Sequence, residues 1–137
     1  MRVLLDTHIW LWWLTGSPEL SASERTALDR IAEAQQLYLP VISLWEAQML
    51  HGKKRIELPL PFPDWLRRAS APGVVKLVPL DAEVVIALDR LPRTFGGDPA
   101  DRLIAATALA YRLPLATRDE HIRKSRAVRV WRGLSRR

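Results

Sequence analysis

The chain has 137 residues, 48% of them hydrophobic, which predicts one compact domain over 1–137 with a full core and no second domain. Its 21 Lys and Arg outnumber 15 Asp and Glu, a formal charge of +6 with a pI near 10.5, so an anionic partner is favoured and nucleic acid comes first. There is no cysteine, which excludes a disulfide framework and a thiolate-bound zinc, and makes a reducing, cytoplasmic setting the default.

In chain order, Arg2 to Leu5 reads as a buried strand and Thr7 to Leu14 as a short helix. The apolar stretch Val3 to Leu14 is too short for a membrane span, contains Asp6 and His8, and lacks the pattern of a signal peptide. Ser21 with Glu24 forms a capping box for a helix through Leu28 and Ile31. Leu37 to Ile42 is a second strand, and Ser43 to about His51 a helix that stops at Gly52. Pro59, Pro61 and Pro63 stiffen the connection to a helix around Trp65. Val74 to Leu80 is a third strand, and Asp81 caps a helix through Val84 and Leu88. Thr94 to Gly97 is a loop; Asp98-Pro99 then starts a helix that reaches about Tyr111. Leu113 to Thr117, Asp119 to about Arg123 and Ala127 to Trp131 give strand, short helix and strand, and Arg132 to Arg137 a frayed basic tail. Strands alternating with helices imply a mostly parallel sheet covered on both faces, a three-layer α/β/α fold.

Four carboxylates each follow a short apolar run or open a helix: Asp6, Glu46, Asp101 and Asp119. Singly, each has an ordinary role. Asp6 and Asp119 fit N-caps, Ser43 to Glu46 matches a capping box, and Asp98 with Asp101 fits the cap and third position of one helix. Together they point elsewhere. Asp101 shares a helical stripe with Ile104, Ala105 and Ala108, and Glu46 with Ile42, Met49 and Leu50, so both are expected to face inward. Inward acids need a counter-charge, and a hard divalent cation such as Mg²⁺ takes oxygen ligands while keeping several waters. Strand ends in such folds are also where chemistry is placed.

The segments VLLDTHIWLWWL, VISLWEAQML, GDPADRLIAATALA and LATRDEHI resemble, in order and spacing, the PIN-domain ribonucleases, and within them the VapC-type toxins of toxin–antitoxin pairs. The resemblance covers nearly the whole chain. It implies a PIN-like nuclease domain in which Asp6, Glu46, Asp101 and Asp119, with Asp98 as an auxiliary, bind Mg²⁺ or Mn²⁺ and cleave RNA. It also implies homodimerisation and a cognate VapB-type antitoxin lying across the first helix. Three tryptophans, Trp10, Trp12 and Trp13, make that helix apolar on nearly every side; partner binding, base stacking and core packing all fit them, and Trp45, Trp65 and Trp131 are read as core.

Around these acids, Thr7 and Thr117 are placed either to hydrogen-bond the carboxylates or as ordinary strand-end hydroxyls. Arg93, Arg102 and Arg118 neighbour the site and are expected to hold RNA phosphate; Arg102 equally fits a pair with Asp98. Lys53, Lys54 and Arg55 form a helix-end basic run that also fits RNA guidance. His8 is read as an apolar-helix residue rather than a general base, while His51 and His121 are placed away from any strand end. The alternatives are a housekeeping RNA-processing nuclease, a non-catalytic RNA-binding module and a receiver-like signalling domain. The last lacks the paired acids and late lysine it requires.

Overall fold

A computed structural model describes residues 1–135. Its sheet has four strands, β1 (Val3–Leu5), β2 (Leu37–Pro40), β3 (Lys76–Val78) and β4 (Leu115–Ala116), in the order β3-β2-β1-β4 with every pairing parallel. The helices are α1 (Thr7–Thr15), α2 (Ala22–Glu33), α3 (Ile42–Gly52), α4 (Phe62–Ala69), α5 (Ala82–Arg90), α6 (Pro99–Tyr111) and α7 (Glu120–Ser125), with a 3-10 turn over Arg93–Phe95.

Period-2 alternation of a strand buried on both faces explains the layers. Val3 and Leu5 point into one core with Leu37, Leu39, Trp10, Leu28 and Trp65; Leu4 points into the other with Val84, Phe95, Ile104, Leu115 and Ile122. Helices α1 to α4 cover the first face, α5 to α7 the second, giving the three-layer α/β/α arrangement.

Local chemistry sets the helix starts. Asp6, Ser21, Asp81, Asp98 and Asp119 each accept a backbone N–H as N-caps, and Ser21 with Glu24 closes the capping box. The helix holding Glu46 is the exception: Val41 stands at its cap without a side-chain bond, and Ser43 is a buried residue inside α3 rather than its cap. Tyr111 at the end of α6 donates its hydroxyl proton to Asp81 at the start of α5, tying these antiparallel neighbours together.

Two expectations at the C-terminus change. Ala127 to Trp131 makes only one parallel bridge, Val130 to Leu115, so it extends the sheet by a contact and not by a strand. The tail is also not frayed where it is described. Leu134 is buried, and Ser135 donates from both its backbone N and its hydroxyl to Glu24. Arg136 and Arg137, the end of the expected tail, lie outside the described residues.

Candidate active site

Because β1 lies between β2 and β4, the chain steps from β1 to one side of the sheet and later returns to the other. The crevice outside the carboxyl ends of β1 and β4 is therefore a topological switch point. Asp6 follows β1 directly, Thr117 and Asp119 follow β4, Glu46 stands one turn into α3 after β2, and Asp98 and Asp101 begin α6. A cleft of about 400 Å³ gathers all five carboxylates, walled by His8, Ile9, Trp12 and Arg118.

The acids are held by neighbours as well as by backbone. Asp6 is 8% exposed; its Oδ1 accepts the Thr7 amide and its Oδ2 the Thr117 hydroxyl, each at 2.7 Å. Thr117 Oγ1 also accepts the Asp119 amide at 3.0 Å, so one hydroxyl links two of the acids. Thr7 Oγ1 donates to Glu46, and Ser43 Oγ lies 2.8 Å from the same oxygen. A hydroxyl has a single proton, so with Thr7 committed to the carboxylate it is Ser43 that donates to Thr7. Asp119 caps α7, accepting from the His121 and Ile122 amides.

Electrostatics are those of crowded like charges. Burial raises the Asp6 carboxyl above the usual range, against the bonds from Thr117 and Thr7. Burial likewise raises Glu46, with Asp6 and Asp98 adding to it. For Asp101, burial first and then Asp98, Asp119, Asp6 and Glu46 push the pKa up to about 7. Among the described residues no three His, Asp or Glu side chains already close on one point as an ion cage.

Asp101 borders a tight loop. Gly96 and Gly97 hold φ of 65° and 77°, and a Cβ on Gly97 would lie 3.3 Å from the Asp101 Cβ. A Cβ on Gly96 would lie 2.8 Å from His121 Nε2, and the His121 ring meets Phe95 edge-on. His121 thus sits after β4 against the loop beside Asp101, contrary to its expected remoteness; adjacency to the Asp119 cap was the available signal. His51 does lie away, stacked on Phe62. Ser43 is the residue that the sequence reading missed, since a Ser three positions before Glu fits both a capping box and one inward helix face.

The three arginines separate. Arg118 walls the cleft, but its guanidinium is ion-paired with buried Glu24 and donates to the Glu19 carbonyl, while its Nε is buried and has no hydrogen-bond partner among the described residues. Arg93 and Arg102 line a different groove with Val85, Leu88 and Leu103, and Arg102 reaches the Gly96 carbonyl at 3.4 Å rather than Asp98. Trp10 is wholly buried and Trp12 forms cleft wall beside His8, but Trp45, expected in the core, is 50% exposed.

A model of the family described as PIN domain matches residues 3–127. The chain belongs to the PIN-domain family. Ribonuclease VapC22 of Mycobacterium tuberculosis (strain ATCC 25618 / H37Rv) is 37% identical over 133 residues, covering 94% of this chain and 98% of the relative. Solved structures also match. The crystal structure of VapBC2 from Rickettsia felis bound to a DNA fragment from their promoter superposes with a TM-score of 0.72 at 17% identity, over 96% of this chain and 98% of that one. That of FitAcB from Neisseria gonorrhoeae superposes with a TM-score of 0.69 at 22% identity, over 96% and 98%. At these identities the likeness is one of fold. The PIN-domain assignment and the α/β architecture therefore agree with what the four segments implied.

Proposed function

We propose that this PIN domain is a divalent-metal-dependent endoribonuclease, the toxin of a toxin–antitoxin pair, that hydrolyses RNA phosphodiester bonds. The observation that carries this reading is the gathering of Asp6, Glu46, Asp98, Asp101 and Asp119 on one cleft at the switch point of the sheet. Similarity to ribonuclease VapC22 over nearly the full length supports RNA as the substrate class.

The residues fit a hard cation. Every donor is a carboxylate oxygen, and burial together with four neighbouring acids pushes Asp101 up to about 7, a cost that a cation offsets. Among the described residues no three such side chains already close on one point, which suits an ion that keeps several of its waters. Asp6, Glu46, Asp101 and Asp119, with Asp98 as auxiliary, would hold Mg²⁺ or Mn²⁺. Such an ion supplies a more acidic water at neutral pH and counter-charge for the phosphoryl oxygens.

The chain's own residues supply position. Thr117 and the Thr7 amide each occupy one oxygen of Asp6, which fixes the carboxylate's rotation. The relay from Ser43 through Thr7 does the same for Glu46 between α1 and α3. Of the three arginines expected at phosphate, only Arg118 is on the cleft, and there its guanidinium is held by Glu24 and the Glu19 carbonyl. Arg93 and Arg102 face another groove and take no part at the scissile bond.

The solved relatives named for VapBC2 and FitAcB support a small antitoxin partner here, with homodimer formation expected beside it. Half-buried Trp12 and Trp13 on α1 suit that contact. Cleavage of a mixed RNA pool by the purified protein tests the proposal. We expect activity with Mg²⁺ or Mn²⁺ that is abolished by EDTA and lowered roughly 100-fold or more in Asp101→Asn and Asp6→Asn, a loss of about 3 kcal/mol in transition-state stabilisation. Undiminished cleavage in both variants would remove the acids from the mechanism.

A further inference from the structure

A second feature lies at the other pole of the sheet. Arg2, Arg112, Arg129 and Arg132 line a concavity of about 550 Å³ together with Trp131 and Gly133. Arg2 precedes β1 and Asp6 follows it, a separation of roughly 13 Å along the strand at about 3.3 Å per residue.

The backbone carrying these arginines is firmly placed. Leu115 N donates to the Arg129 carbonyl and Trp131 N to the Leu115 carbonyl, both at 2.8 Å. Trp131 is buried, and the chain passes so close over its indole that a Cβ on Gly133 would lie 2.1 Å from the ring. Arg112 closes α6 with φ 53°.

All four arginines are exposed, and among the described residues none makes an ion pair; the three ion pairs found are Arg67–Asp64, Arg118–Glu24 and Arg123–Glu120. Compensation of a helix dipole explains Arg112 at the end of α6 but not the other three. Two adjoining hollows extend the surface, one sharing Arg112 and Arg129, the other sharing Arg129 and Arg132 and adding Arg123. The positive surface is therefore a band, whose shape suits an extended polyanion better than a single phosphate.

We infer that this arginine band is a second RNA site, which grips the substrate's phosphate backbone at the pole of the sheet opposite the cleavage cleft. It rests on the ribonuclease reading for its choice of polyanion. Guanidinium forks match phosphate oxygens, and a strand long enough to round the sheet edge reaches both poles.

The test reads binding in EDTA, so that neither the metal nor cleavage contributes. Fluorescence anisotropy with a long unstructured RNA compares wild type, R129E/R132E, the milder R2Q/R112Q, and R67E/R68E, which repeats the charge reversal on α4. Thermal melting confirms that each is folded. We expect both variants of the band to weaken binding, R129E/R132E by about ten-fold or more, and R129E/R132E to flatten the salt dependence by about 1.4 in log–log slope, the value for two lost single-strand contacts. R67E/R68E should stay near wild type. With Mg²⁺, R129E/R132E should lower kcat/KM on long RNA and leave an RNA of a few nucleotides cleaved as before.

Unchanged affinity in both variants of the band, or an equal loss in R67E/R68E, would overturn the site. Tighter arginine-dependent binding of single-stranded DNA than of RNA would overturn the choice of RNA. Arginine-dependent RNA binding by a protein that cleaves nothing would support the site and remove the nuclease reading, so the two failures are distinct.

Discussion

Asp101 concentrates the electrostatics of the cleft in one residue. Its carboxyl is raised from 3.8 to about 7 by burial and four neighbouring acids. Across that window the unfolded chain releases a proton that the folded chain keeps, so stability falls as pH rises from about 4 to about 7 and levels off above. The metal-free protein should therefore melt at a lower temperature at pH 8 than at pH 6, and Asp101→Asn should flatten the fall in a thermal scan. Thr117 gives a second expectation. Thr117→Val keeps the shape but leaves an Asp6 oxygen and the Asp119 amide without their partner, which should cost about 1–3 kcal/mol in urea denaturation and lower kcat. Thr117→Ser should restore both, whereas a purely steric role would not distinguish Ser from Val.

At the scale of elements, Glu24 joins three parts of the fold. One oxygen accepts the Ser21 amide and closes the capping box of α2; the other accepts Arg118 after β4 and Ser135 at the C-terminus. Although burial opposes ionisation, the bonds from Arg118, Ser21 and Ser135 together hold its pKa down to about 2, from 4.5. A depressed acid contributes stability that is complete above the unfolded value and is lost as pH falls through the folded one, here from about 4.5 to about 2. The shift corresponds to about 3 kcal/mol, as an order of magnitude. Glu24→Gln should destabilise the protein at pH 7 by about that much in chemical denaturation, and should remove the extra loss between pH 4.5 and 2. Ser21→Ala opens only the capping box and should cost about 1 kcal/mol. A similar cost for both would mean that Arg118 and Ser135 add nothing.

For the molecule as a whole, negative and positive charge are sorted to opposite poles of one parallel sheet. The acids crowd the carboxyl ends of β1 and β4, while arginines with no ion pair among the described residues stand before β1 and beside the start of β4. A cation bound at the acidic pole stabilises the whole fold by mass action, about 2.7 kcal/mol at 100 times its Kd. Mg²⁺ or Mn²⁺ should therefore raise Tm, and more at pH 8 than at pH 6, because the cation must displace the proton on Asp101 at the lower pH. A metal-induced shift with no pH dependence would place the ion elsewhere. Among the described residues no helix is long and apolar enough to cross a membrane.

The sequence by itself determined the elements and the acids. Periodicity marks a doubly buried β1 in Val3 to Leu5, the caps announce five helix starts, and the four segments carry the PIN resemblance, because these signals are local and survive without contacts. Only the tertiary structure decided what each polar side chain touches. Ser43 turns from cap to relay because Thr7 comes from another element to meet it. Arg118 is held by Glu24, 94 residues away, and Ser135 by the same carboxylate across 111. Arg93 and Arg102 fall outside the cleft, and His121 packs against the Gly96–Gly97 loop that borders Asp101, according to how that loop folds. The physical reason is range. Helix caps and strand alternation act within a few residues, whereas a hydrogen bond or ion pair between distant segments exists only after the sheet order has brought their strand ends together.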